Sequence, residues 1–180
     1  MEGGERLRLF LALPLPGSVV ERLVAWRSEV LAGGRDVRTV PAANLHVTLA
    51  FLGHRPAEEV AGIAAELRGA AGRARRPALR AARYRETRNV GMLVFEDDGG
   101  HATRLAGDLA ARLERLGVYE PETRPWLPHV TVVRFRRPPR LRPDPPDLGL
   151  VSPSEVALYH SVLRRAGAQY EIRESVPLGG

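Results

Sequence analysis

The sequence predicts an α+β fold: two pseudo-symmetric lobes of antiparallel sheet flanked by helices, facing each other across a central cleft. Three observations predict it. Strand-like runs and amphipathic helices alternate in the order strand, helix, strand, helix, strand, strand, helix, strand, strand, strand. The tripeptide His-Val-Thr occurs twice, at His46 to Thr48 and at His129 to Thr131, each time opening a β-branched or aromatic run after a turn-like segment, "VPAANL" or "RPWLP". Each of these runs also follows a helix, so a helix-then-strand unit is approximately duplicated in the two halves. A chain of 180 residues can bury a real core, and one two-lobed domain over 1–180 is expected.

The elements follow in order. "RLRLFLALPL" (Arg6 to Leu15) alternates as a strand and is closed by Pro14 and Pro16. Gly17-Ser18 starts a helix in which Val20, Leu23, Val24, Val30 and Leu31 form the apolar stripe, Trp26 is partly buried, and Gly33-Gly34 make the stop. "NLHVTLAFLG" (Asn44 to Gly53) is the first His-Val-Thr strand. Pro56 opens the second helix, "PAEEVAGIAAELRGAAG", whose acidic first turn suits the helix dipole. "RRPALRAARYRE" is a strand anchored by Leu79 and Tyr84, and "NVGMLVFED" (Asn89 to Asp97) a clearer one. "HATRLAGDLAARLERLG" sets Leu105, Leu109, Leu113 and Leu116 at helical spacing before Gly117, with His101 as its cap. After the second His-Val-Thr strand, six prolines from Pro138 to Pro153 make an extended, semi-rigid connection, read as a solvated loop. "SEVALYHSVLRR" and "AQYEIRESVPL" form a closing hairpin around Gly167.

Composition narrows the function classes. Hydrophobic residues at 44% and charged residues at 27% are ordinary for a globular protein. No apolar run approaches the roughly eighteen residues of a membrane span, and "RLRLFLALPLPG" is too short for a signal peptide, so a cytoplasmic location is the default. Without cysteine there is no disulfide framework, thiolate metal site or cysteine nucleophile. A net charge of +6 and a pI near 10.8 point to an anionic partner, RNA or phosphate among them. That pointer is discounted, because all 27 basic residues are arginine and alanine and glycine abound throughout. Arginine does suit phosphate, since its planar fork donates two hydrogen bonds at once.

In a strand, residues two apart share a face, so His46 and Thr48 sit side by side, roughly 6–7 Å apart at the backbone, as do His129 and Thr131. Two imidazoles across a cleft suit acid–base chemistry near neutral pH: one takes a proton from a nucleophile while the other gives one to a leaving group. Phosphodiester cleavage needs this combination, and the threonine hydroxyls can hold the non-bridging oxygens through the transition state. Neither a metal nor a covalent intermediate is required. Arg134 lies five residues beyond His129, on the opposite face by strict alternation; a bulge or strand end would return it to the cleft. A zinc site drawn from His46 and His129 with His54, His101 or His160 is the chemical rival, but no H-E-x-x-H spacing exists and the motifs supply threonine rather than carboxylate. Those three histidines are read as surface or structural residues. Phe51, Tyr84, Trp126 and Phe135 each fit base stacking or core packing equally.

"NLHVTLAFLG" and "RPWLPHVTVVRF" resemble the two signature motifs of the two-histidine (HxTx) phosphoesterases, and are most similar to those of the RNA 2′,3′-cyclic phosphodiesterases, historically called 2′–5′ RNA ligases. "RLFLALPLP", "LERLGV" and "LYHSVL…GAQYEI" extend the resemblance over essentially the whole chain. It implies hydrolysis of an RNA 2′,3′-cyclic phosphate end to a 2′-phosphate; that chemistry needs no cofactor, and nothing in the sequence demands more than a monomer. His46 is then the proton donor to the leaving ribose 3′-oxygen and His129 the proton acceptor that activates water. Thr48, Thr131 and Arg134 bind the phosphate. The division between acid and base rests on the resemblance, because the residues alone give two equivalent candidates. The chain departs from the family's pattern at Thr39, in "VRTVP", where a tryptophan commonly stands. It contains no lysine, so ligation is expected only as a weak reversal of cleavage. A small cyclic nucleotide or metabolite as substrate, or a non-catalytic RNA- or nucleotide-binding role, are the alternatives.

Overall fold

Leucines at every second position of the first strand decide where the core lies. In a computed structural model, which describes residues 4–31 and 36–179, β1 (Arg6–Pro14) buries Leu7, Leu9, Leu11 and Leu13 on one face. Each such burial is worth about 1.5–3 kcal/mol. The strand is therefore held in mid-sheet, between β3 (His46–Pro56) and β7 (Glu155–Arg164).

The whole sheet runs β4 (Leu79–Glu86), β5 (Val90–Asp97), β6 (His129–Arg134), β3, β1, β7, β8 (Gly167–Pro177), with the short β2 (Arg38–Thr39) paired to the end of β6. Every ladder is antiparallel. Helices α1 (Gly17–Val30), α2 (Val60–Ala71) and α3 (His101–Arg115) share one core with the leucines of β1, leaving the other face of the curled sheet open. The α+β class and the two wings match the expectation. The wings are halves of one continuous sheet, joined where Val47 of β3 pairs with Val130 of β6, both fully buried.

Some local expectations need correction. On α1 the buried residues are Val19, Leu23, Trp26 and Arg27, so the core-facing stripe is rotated from the aliphatic one read in the sequence. The expected stop at Gly33-Gly34 lies outside the described residues. Leu116 is 41% exposed, because α3 has ended and Gly117 turns the chain at φ 77°. The α3 cap is the Asp97 carboxylate, which accepts the N–H groups of Ala102 and Thr103, while His101 takes a bond from Arg104. The proline-rich connection is largely solvent-exposed, as expected, but it is also strapped down at several points. Trp26 Nε1 donates to the Asp144 carbonyl at 2.9 Å, the Glu86 carboxylate accepts from the backbone of Arg140 and Leu141, and Leu148 and Val151 are buried.

Arg27 is the residue that couples α1 to the open face. Its guanidinium is buried and donates to the carbonyls of Val40 and Val132, and burial lowers its pKa. Replacing Arg27 with alanine removes both bonds and leaves a void. We expect a loss of about 2–3 kcal/mol in urea denaturation; an unchanged midpoint at unchanged slope would show that the clamp contributes nothing to stability.

Candidate active site

The pairing of Val47 with Val130 dictates what lies on the other side of the sheet. Neighbours in a strand point to opposite faces, so the residues flanking both valines project into the cleft. Extending the antiparallel register by one residue each way sets His46 beside Thr131 and Thr48 beside His129. Side chains directly opposite in such a pair have Cβ atoms about 4.5–5.5 Å apart. Two copies of His-Val-Thr thus form a four-cornered polar patch around a pseudo-twofold axis. All four side chains are half-buried while the valines between them are sealed.

Both imidazoles are oriented in the same way. His46 Nδ1–H donates to the Asn44 carbonyl at 2.7 Å, and His129 Nδ1–H to the Leu127 carbonyl at 2.8 Å, each bond reaching two residues back along its own chain. A donor role at Nδ1 leaves Nε2 as the working nitrogen of each ring. His46 Nε2 accepts the Thr48 hydroxyl at 2.9 Å.

Bulges then rearrange the faces. Thr131 pairs with Met92 and Val133 with Gly91, so Val132 is an extra residue; Val132 and Val133 are both buried, the parity flips, and Arg134 emerges on the cleft side. Gly91 is required there, because a Cβ would overlap the Tyr84 hydroxyl and Val133. In β3 the same event occurs at Leu49: Thr48 pairs with Ala12 and Ala50 with Leu11, both Leu49 and Ala50 are buried, and Phe51 emerges at the cleft. A second bulge at Leu52 follows, and Gly53 accommodates it at φ 69°. Phe51 therefore holds in the first motif the place that Arg134 holds in the second.

The cleft measures about 680 Å³ and contains His46, Thr48, His129, Thr131 and Arg134, every site residue proposed from the sequence. Of the four aromatic candidates only Phe51 lines it. Phe135 is buried, Tyr84 packs edge-on against Trp26, and Trp126 donates its Nε1–H to the Thr48 carbonyl at 3.1 Å, propping the first motif. His54, His101 and His160 lie outside the cleft, and no group of three or more potential metal-ligating side chains occurs among the described residues.

Sequence reasoning missed the floor. Phe10 and Tyr159 stack at 5.1 Å, Tyr170 meets Phe10 edge-on at 4.8 Å, and the His46 ring lies 5.0 Å from Phe10 and 5.4 Å from Tyr170. The available signal was parity: Phe10 and Ala12 alternate with the core leucines of β1 and must face the other way. Burial against this floor pushes the His46 pKa down to about 4; the nearby His129 and Arg134 charges act in the same direction, and the bond to the Asn44 carbonyl opposes them.

A curled antiparallel sheet that brings two His-x-Thr pairs together at its centre defines a two-histidine phosphoesterase. A family model described as LigT like Phosphoesterase matches residues 13–86. The chain is 35% identical to an RNA 2′,3′-cyclic phosphodiesterase of Thermus thermophilus, over 97% of its own length and 91% of that protein's. It is 30% identical to one of Escherichia coli K12, over 92% and 93%. A crystal structure of E. coli LigT complexed with 3′-AMP superposes with a TM-score of 0.82 at 29% identity, covering 98% of this chain and all of that one. The chain belongs to the LigT-like phosphoesterase family.

Because the native pKa of His46 lies below its ordinary 6.5, the unfolded chain binds this proton more readily between roughly pH 6.5 and 4. The stability carried by the neutral ring is complete above that window and is lost as pH falls through it. A ring NMR titration of the free protein should give His46 a midpoint near 4, moving upward when inorganic phosphate is added; a midpoint at or above 6.5 would refute the desolvating floor.

Proposed function

We propose that this chain hydrolyses the 2′,3′-cyclic phosphate at the end of an RNA to a 2′-phosphate, by general acid–base catalysis that needs no metal. The observation that carries the reading is the crossed square of two histidines and two threonines, each imidazole held by its Nδ1–H with Nε2 left as the working nitrogen. The names of the E. coli and Thermus relatives support the substrate.

In this reading the cyclic phosphate sits over the Val47–Val130 pair, its non-bridging oxygens bound by the hydroxyls of Thr48 and Thr131 and by the exposed guanidinium of Arg134. His129 takes a proton from water at Nε2 as the water oxygen bonds to phosphorus. The bond from phosphorus to the 3′-oxygen breaks, and His46 delivers its Nε2 proton to that oxygen. His46 is neutral in the empty cleft at neutral pH, so it must be charged by its substrate. A bound phosphodiester anion offsets both the desolvation and the repulsion from His129 and Arg134 and raises the pKa. Substrate binding therefore takes up a proton and strengthens as the pH is lowered from the alkaline side. One chain, acting as one domain over 1–180, supplies every group named, so a monomer suffices. Among the described residues no helix is long and apolar enough to cross a membrane.

The test is turnover of a short RNA ending in a 2′,3′-cyclic phosphate, with EDTA present. Wild type should form the 2′-phosphate at an undiminished rate. His46→Ala and His129→Ala should each lose about 10²–10⁴-fold, and Thr48→Ala or Thr131→Ala about a hundredfold. A wild type inert on this substrate, or one silenced by the chelator, sinks the reading. Replacing the 3′-oxygen by sulfur, which leaves without a proton, separates the two roles: it should rescue His46→Ala and leave His129→Ala slow.

A further inference from the structure

The pseudo-twofold axis through Val47 and Val130 places Phe51 and Arg134 at opposite ends of the cleft. The Arg134 end supplies the cation for the cyclic phosphate. The Phe51 end carries a second cation for which that chemistry has no use. Arg8, on the open face of β1, lies with its guanidinium carbon 4.9 Å over the Phe51 ring. Among the described residues it has no carboxylate within ion-pair distance.

The strand beside it adds a second unused donor. Leu9 pairs with His160, which brings Ser161 of β7 alongside Arg8. Ser161 is 5% exposed, lines the cleft, and its hydroxyl has no hydrogen-bond partner. An unpaired buried hydroxyl is costly unless a ligand satisfies it. The hairpin turn at Ala166 to Ala168 lines the same cleft with small residues, and it is pinned to the approach to the first motif by Asn44 Nδ2, which donates to the Ala168 carbonyl at 2.8 Å.

The separation decides what such a pair of donors can bind. Ala12 of β1 lies beside Thr48, and Arg8 is four residues further along, roughly 13 Å at a strand's rise. At the level of the backbone that sets Arg8 apart from the phosphate bound at the two histidines. An RNA that places its cyclic end there continues through the O5′ of its terminal ribose, so the next anion it offers is the preceding phosphodiester.

We propose that Arg8, seated on Phe51, and Ser161 form a second phosphate subsite that takes a phosphodiester upstream of the cyclic end. The proposal rests on the function argued above and adds that the enzyme senses chain length: it prefers a cyclic-phosphate-ended oligonucleotide to a nucleoside 2′,3′-cyclic phosphate.

The experiment measures kcat/KM for a short RNA ending in a cyclic phosphate and for the matching mononucleoside cyclic phosphate, across a salt series. Wild type should favour the oligonucleotide. Arg8→Gln should lower the oligonucleotide-to-mononucleotide ratio about tenfold and flatten the salt dependence on the oligonucleotide by about 0.7 in log–log slope, the signature of one lost single-strand phosphate contact. Arg8→Lys should keep most of the slope, and Ser161→Ala should lower the ratio by a smaller factor. Proportional losses on both substrates, or an unchanged ratio with an unchanged slope, overturn the proposal. Should wild type turn over neither substrate, the hydrolytic reading fails by itself. Calorimetric binding of a short RNA ending in a 2′-phosphate and of a nucleoside 2′-phosphate, to wild type and Arg8→Gln, then decides the subsite by the same ratio.

Discussion

One backbone pairing, Val47 with Val130, organises the working face of this protein. It joins the two wings of the sheet, and it does so at the middle residue of each His-Val-Thr motif. Because the pairing is antiparallel, it crosses the motifs, and each histidine is set opposite the other motif's threonine. Sealing the valines against the helices forces the four polar side chains outward. The energy that holds the site together is thus hydrophobic burial on the far face, where binding substrate or shifting charge in the cleft does not disturb it.

The bulges are the second layer of the design. A strictly alternating strand would have sent Arg134 and Phe51 into the core, where a charge has no partner. One extra residue in each motif strand, Val132 and Leu49, returns them to the cleft. The Val132 carbonyl is also where Val40 and Arg27 bind, so the bulge that aims the cation is held by α1 from behind. An irregularity in the ladder is in this way carried by regular structure around it.

Much of this was legible in the sequence, and the reasons differ by element. The duplicated motif, the alternation in β1 and the helical leucines of α3 are periodic signals, and each produced an element where expected. The parity flip at Arg134 was legible only as a condition, since an extra residue in a strand has no mark in composition. Arg27 was invisible because the stem of an arginine and its buried head look alike in a helical stripe. The aromatic floor was hidden for a different reason. Phe10, Tyr159 and Tyr170 come from three strands, and only the sheet order brings them beneath His46. The straps on the proline-rich segment were hidden for the same cause, as its anchors Trp26 and Glu86 lie far away in the chain.

Two identical motifs in one sheet would give two equivalent histidines, and a hydrolysis needs them unequal. The backbone cannot make the difference, since register and Nδ1 bonds are the same on both sides. The surroundings can. His46 rests on three aromatic rings and is held neutral in the empty cleft, with His129 and Arg134 further opposing its charge. A group in that position accepts a proton only when an anion arrives to balance it. In the proposed hydrolysis the acid is then armed by the substrate it must protonate. The symmetry of the fold builds the pair, and the aromatic floor on one side makes its two members unequal.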